Sequence, residues 1–348
     1  MREAVERAWA ALRGPVSRKA AGWFAQSVPH SEPEAAHPVR RLPASADVLV
    51  QGTQLDPYAD PRSLVFSEID GLPAYERYRE AMSPIYRKRR YIELALASSQ
   101  SAFTYRGHNQ LLGHDVDFEI DYLYSCETVD GLKLPNYRER VVCAESGLNS
   151  RLRGILLVLR HFAGEDVVRK RIYVTEQLTP FYAFLSQRSR GVVGSEYFGP
   201  DVARGAKKGG VNHEDITALT FADGAFDIIV TNDVLEHVPD YQSAFGELYR
   251  TLAPGGILFI TVPFITSRYD HLIRARLGDN NVIEHIEPPE YHGDPVNPEG
   301  GVLCFQIFGW KLLEELKAAG FKRASAVCFW SLHHGLLGGE QLAFCAWK

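Results

Sequence analysis

Two acids and two histidines in the second half of this 348-residue chain have types and positions suited to chemistry. Glu196, in Gly194-Ser195-Glu196-Tyr197, closes an apolar run, and a carboxylate at a strand end can accept hydrogen bonds from two ribose hydroxyls. Asp215, in His213-Glu214-Asp215-Ile216, could accept from an adenine amino group while a neighbouring amide meets a ring nitrogen, or could cap its own turn. His292, flanked by Tyr291 and Asp294, titrates near neutral pH and suits a general base; the alternative is a turn histidine bonded to backbone in a Gly/Pro-rich loop. His237 is the second candidate base, with a structural place beside a pocket as its alternative. His333-His334 could line the substrate side from a loop near the C-terminus.

These residues need a frame, and the pattern around them supplies one. Asn149 reads as the N-cap of a helix with Leu152, Ile155, Leu156 and Leu159 on its apolar face, ending near Gly164. Arg171 to Thr175 reads as a strand, Thr179-Pro180 as N-cap and first helical position, and Val192 to Tyr197 as the next strand. After a loop holding Gly205, Gly209 and Gly210, the stretch from Asp215 to Thr220 leads through an Asp223-Gly224 turn into a buried strand, Phe226 to Thr231. A helix carrying Ala244, Phe245, Leu248 and Leu252 on one side follows, and Pro254-Gly255-Gly256 is expected to break it and launch a strand over Ile257 to Val262. Alternation of this kind predicts a mostly parallel sheet with helices on both faces, whose ligands lie beyond the carboxyl ends of the strands. The end of the chain departs from it: a helix over Leu312 to Ala319 closes at Gly320, and two strands, Arg323 to Trp330 and Gln341 to Trp347, follow with no helix between them. They are expected to form an antiparallel pair at the sheet edge.

The first part of the chain is different in kind. Residues 1–61 carry a possible short helix, Glu3 to Leu12, and then prolines at 29, 33, 38, 43, 57 and 61, the pattern of a tail or linker. Residues 62–142 read as a small accessory region, helical from Tyr75 to Ala97, then short strands and turns such as Asp130-Gly131. Residues 143–348 hold the alternating domain. Hydrophobic residues at 45% and charged residues at 23% fit a globular protein. A net charge of -5 gives no general attraction to nucleic acid or anionic lipid. The apolar run Ile155 to Leu159 is too short to cross a bilayer. Five cysteines, odd in number and without a C-x-x-C pair, suit a reducing compartment, so a cytoplasmic location is expected.

The run Phe221-Ala222-Asp223-Gly224-Ala225-Phe226-Asp227-Ile228-Ile229-Val230-Thr231-Asn232-Asp233-Val234-Leu235-Glu236-His237-Val238, followed by Leu252-Ala253-Pro254-Gly255-Gly256, resembles the central segment of class I methyltransferases of the type 11 kind. With weaker features the resemblance spans about Gly147 to Trp347. It implies an α/β, Rossmann-like seven-stranded methyltransferase sheet with an antiparallel terminal strand, S-adenosylmethionine as cosubstrate, and methyl transfer. It also implies that Glu196 meets the ribose, that Asp215 and Ile216 meet the adenine, and that Asn232, Asp233 and Val234 lie beside the methionine part. The first motif departs from the family, because Glu176-Gln177-Leu178-Thr179-Pro180 stands where an acid and alternating glycines let the backbone approach the cosubstrate. A bacterial subgroup of methyltransferase-like proteins is similar in this E-x-x-T-P run and in the segment Glu290-Tyr291-His292-Gly293-Asp294. In it Glu176 takes the acid's place, and Thr179 either supplies a hydroxyl to the ligand carboxylate beside the helix amides or simply caps its helix. That subgroup carries two cysteine pairs resembling a zinc ribbon. Here Cys143 faces Ser146 in the later pair and residues 107–113 contain no cysteine, so no metal is expected. Arg151 and Arg153 could reach an anionic acceptor, or lie on a solvated or salt-bridged helix face. The expected activity is methyl transfer to a small-molecule or glycan-like acceptor, at oxygen or nitrogen. The glycine-free loop keeps a second reading open, a methyltransferase-fold binding or scaffolding protein without turnover. An oxidoreductase on a similar sheet lacks its G-x-G-x-x-G.

Overall fold

A computed structural model describes residues 40–41, 62–128, 131–279 and 282–348. The expected helix from Glu3 to Leu12, nearly all of the 1–61 tail and Asp130 lie outside the described residues. A seven-stranded sheet forms the centre: β1 (Ser67–Ile69), β2 (Ile172–Val174), β3 (Val192–Gly194), β4 (Phe226–Asn232), β5 (Leu252–Thr261), β6 (Arg323–Ser331) and β7 (Leu336–Trp347). Their order across the sheet is β1-β6-β7-β5-β4-β2-β3. The β5-β4-β2-β3 half is parallel. β7 runs antiparallel to both β5 and β6, as the missing helix between the last two strands required.

Residues 215–220, read as the approach to the turn before β4, are themselves held in turns. Asp215 Oδ1 accepts from the Thr217 amide and hydroxyl, and Glu214 accepts from the amide and hydroxyl of Thr220. Such local side-chain bonds compete with a ladder and hold the segment in turns. Two details differ from the sequence reading. The terminal hairpin is one strand in from the edge, because β1, from the N-terminal side, pairs antiparallel with β6. Pro254-Gly255-Gly256 is also not where the strand starts. β5 begins at Leu252 and passes through it, with Gly255 at φ 77° and a shift of register opposite Phe226 and Ile228.

Helices cover both faces. On one side α2 (Ser150–Ala163) and α3 (Pro180–Ser186) pack Ile155, Leu159, Phe181 and Phe184 onto Val174 and Val230. On the other, α1 (Leu72–Leu96), α4 (Tyr241–Thr251) and α5 (Lys311–Ala318) bring Tyr75, Phe245, Leu248 and Leu316 against Ile229 and Leu258. The caps are those the sequence implied. Asn149 accepts from the Leu152 amide at 2.9 Å and Thr179 from the Tyr182 amide at 3.2 Å, with Pro180 in the first turn.

The accessory hairpin, Phe103–Asn109 with His114–Ile120, is flanked by Arg40–Arg41 and Val141–Cys143. Its inner residues Phe103 and Phe118, with Val141 of the flanking strand, share one core with Trp330, Leu332 and Leu337 of the terminal hairpin. The His108 amide donates to the His333 carbonyl at 2.7 Å, and a Cβ at Gly107 would sit 2.5 Å from that carbonyl oxygen. The expected division between residues 142 and 143 is therefore crossed by a continuous core and, further back, by β1. His333 and His334 serve this junction. His333 stacks on His108, and His334 Nδ1 bonds to the His108 carbonyl at 3.1 Å.

Candidate active site

The carboxyl ends of β2, β3 and β4 open into a cleft of about 380 Å³, and residues 293–296 from the long connection between β5 and α5 complete its wall. Of the residues singled out in the sequence, Glu176, Glu196, Asp215, Ile216, Asp233, Val234 and His237 line it. Thr179, Asn232 and His292 stand behind that lining. Thr179 is occupied as a helix cap, and Asn232 donates its side-chain amide to Glu176 Oε1.

The four lining acids singled out in the sequence are each placed differently. Glu196 follows β3 and bridges to His213, and its Oε1 accepts from the Leu178 amide at 2.6 Å. Burial pushes its carboxyl up to about 7. Glu176 follows β2 and is held by Asn232 and by the Thr175 hydroxyl at 3.0 Å; burial pushes it up to about 8, against the pull of those two bonds. Asp233 ends β4 in a left-handed turn, φ 52°, a conformation aspartate tolerates better than most residues. Burial would raise its pKa, but Arg151 at 3.0 Å and Arg138 at 3.4 Å lower it on balance. Asp215 is half-buried and its Oδ1 is engaged within its own turn.

Neither flagged arginine reaches the cleft. Arg151 is buried and joins Glu139 of the short helix Tyr137–Arg140, at 2.9 Å, to Asp233, tying the accessory region to the end of β4. Arg153 is buried too, and donates to the carbonyls of Val141, Leu148 and Gly335. Desolvation lowers its pKa to about 10. Both were read from sequence as members of a helix face. The face is real, but it is covered by the accessory region.

The glycine-free loop leaves the cleft open. Gln177 turns away, its Oε1 accepting from the Asn212 amide at 3.0 Å, and Leu178 is exposed. Neither lines the cleft. Ser195 and Tyr197, on either side of Glu196, do line it and were passed over in the sequence, where neighbours of an acid at a strand end were the available signal.

Behind the cleft wall lies a second grouping. The three residues Leu235–His237 make one 3-10 turn after β4 and carry Glu236 and His237 inward. Residues 291–292, paired with 302–303, bring His292 to meet them. His237 Nδ1 bonds to the Leu303 carbonyl at 2.8 Å, and its Nε2 lies 3.2 Å from His292 Nδ1. His292 Nε2 lies 3.2 Å from Glu290 Oε1. Burial lowers the pKa of His237, whereas for His292 burial is outweighed by Glu236 and Glu290, which raise it. Glu236 is fully buried, and neither of its carboxylate oxygens has a hydrogen-bond partner. Sequence reasoning missed Glu236. Its signal was an acid next to His237 at the end of a strand that must be buried.

With this geometry in view, comparison with known proteins gives a consistent answer. A general methyltransferase domain matches residues 180–260. Over 85 residues the chain is 40% identical to a demethylmenaquinone methyltransferase of Thermus thermophilus, covering 22% of this chain and 39% of that protein. Over 48 residues it is 48% identical to an arsenite methyltransferase of Aquipseudomonas alcaligenes, covering 14% of each. The chain thus spans less than half the length of these curated relatives. A crystal structure of Burkholderia thailandensis 1,6-didemethyltoxoflavin-N1-methyltransferase, with 1,6-didemethyltoxoflavin and S-adenosylhomocysteine bound, is 17% identical, and the match covers 57% of this chain and 77% of that one at a TM-score of 0.32. The residues that match this methyltransferase domain run from α3 into β5 of the α/β sheet. Among the described residues no helix is long and apolar enough to cross a membrane.

Proposed function

We propose that the chain transfers a methyl group from S-adenosylmethionine to a small-molecule or glycan-like acceptor, at oxygen or nitrogen, in the cytoplasm. The observation that carries this is the open cleft at the strand ends, with Glu196 aimed into it and the bulky first loop turned out of it. Its volume is within the range of small-molecule sites. Glu196 would accept from the ribose hydroxyls, Asp215 and Ile216 would meet the adenine, and Asp233 and Val234 would flank the methionine part, with Asn232 acting through Glu176. Thr179 would contribute through the amides of the helix it caps rather than through its hydroxyl, which is engaged. When bound, the cosubstrate supplies an electrophilic methyl on sulfur. The chain's part is then to align an acceptor lone pair and exclude water, where positioning does most of the work. Five unpaired cysteines suit the proposed compartment, and the negative net charge favours an acceptor other than nucleic acid. The scaffold reading rested on a crowded first loop, and the outward Gln177 and Leu178 remove its motive. Calorimetry of the full chain with S-adenosylmethionine and with S-adenosylhomocysteine tests the proposal. Saturable binding to one site is expected, and no heat at high ligand concentration would reject it.

A further inference from the structure

We propose that Glu236, His237 and His292 form a binding site for a divalent zinc ion, a role for which neither the methyltransferase fold nor the cosubstrate cleft has any need. Their ligand atoms converge: His237 Nε2, His292 Nδ1 and Glu236 Oε1 make a triangle with sides of 3.2, 3.6 and 3.6 Å. Zinc bonds of about 2.0–2.1 Å put the corners of a tetrahedron about 3.3 Å apart, so these three atoms already stand close to the spacing of three corners.

The donor chemistry agrees. His237 gives its Nδ1 proton to the Leu303 carbonyl, which leaves Nε2 a lone pair pointing into the triangle. His292 faces Glu290 with Nε2, so that its neutral form likewise turns a lone pair at Nδ1 toward the same point. Glu290 is itself anchored by Arg274 at 3.2 Å. A carboxylate or carbonyl behind each ligating imidazole is the usual outer support of a protein zinc site. Glu236 supplies an independent observation. It is completely buried, the nearest imidazole nitrogens are 3.6 Å away, and both of its oxygens lack a hydrogen-bond partner. A carboxylate in that state is costly unless a cation meets it. Three protein ligands leave a fourth position for water or a ligand oxygen, and His237 places the ion at the cleft wall. No cysteine spacing marks this site, because none of its ligands is a cysteine and 54 residues separate His237 from His292.

The site does not rest on the methyl-donor reading, and its test uses no cosubstrate. The full chain is stripped with a chelator and titrated with zinc chloride by calorimetry, and separately with cobalt(II) chloride, followed by visible absorption. One ion per chain and the intense absorption of tetrahedral cobalt are expected. His292→Gln should weaken zinc binding by about 100-fold or more, and Glu290→Gln, which leaves all three ligands in place, by about 10- to 100-fold. Circular dichroism reports whether each variant is folded. If His292→Gln does not fold, the wild-type cobalt spectrum and Glu290→Gln decide. No stoichiometric zinc binding, no tetrahedral cobalt band, or undiminished affinity in a folded variant would overturn the proposal.

Discussion

Replacing Glu176 with glutamine makes the strongest quantitative test of the cleft. The buried carboxyl keeps its proton up to about pH 8, where an ordinary one loses it near 4.5. Between those values the unfolded chain has released a proton that the folded protein still holds, so stability falls as pH rises, by about 1.4 kcal/mol per pH unit. From about pH 5.5 to about pH 7.5 this amounts to roughly 2 to 3 kcal/mol. Glutamine imitates the protonated acid. Its amide oxygen can take the Asn232 bond, and the Thr175 hydroxyl can turn to accept from its amide nitrogen. Glu176→Gln should therefore lack this loss, and every other titrating group cancels in the difference between the two proteins. Urea unfolding of both at the two pH values, without ligand, measures it. Curves that stay parallel across that range would show that Glu176 ionises normally, and that the cleft floor is wetter than its burial implies.

Three further outcomes follow from named contacts. Arg151→Met leaves Glu139 and Asp233 buried with Arg138 as their remaining shared cation, and should cost about 3 to 5 kcal/mol in urea unfolding; a cost below about 1 kcal/mol would mean that the network is dispensable. Glu196→Ala should weaken S-adenosylhomocysteine binding by about 1 to 3 kcal/mol by calorimetry, and unchanged affinity would place the ligand elsewhere. Gly154→Ala, in the middle of α2, would ordinarily stabilise a helix by up to about 1 kcal/mol. Its Cβ would meet the Phe329 ring at 2.5 Å, so thermal unfolding should instead show a loss of about 1 to 3 kcal/mol.

The alternating half of the chain was legible because its signals are local. Asn149, Thr179 and the run Phe226 to Asn232 each carry their structural meaning within a few residues, and the cap bonds and the central strand stand where those residues put them. The acid at the end of β3 was legible for the same reason. What could not be read depends on distant partners. Nothing near Ser67 announces that it will pair with Cys328, and nothing near Arg153 shows that its guanidinium will meet three carbonyls from separate segments. The pairing of His237 with His292 across a long connection had no sequence signal beyond the presence of two histidines.

The short pairing of Ser67–Ile69 with the outer strand bears on how this protein can be handled. Without it, the Ala326 to Cys328 backbone would offer a row of open donors and acceptors to any neighbouring molecule, next to side chains that are almost wholly apolar. A version trimmed to residues 143–348 would keep the residues that line the cleft and lose this guard. Self-association through that strand, growing with protein concentration, is the behaviour such trimming should produce.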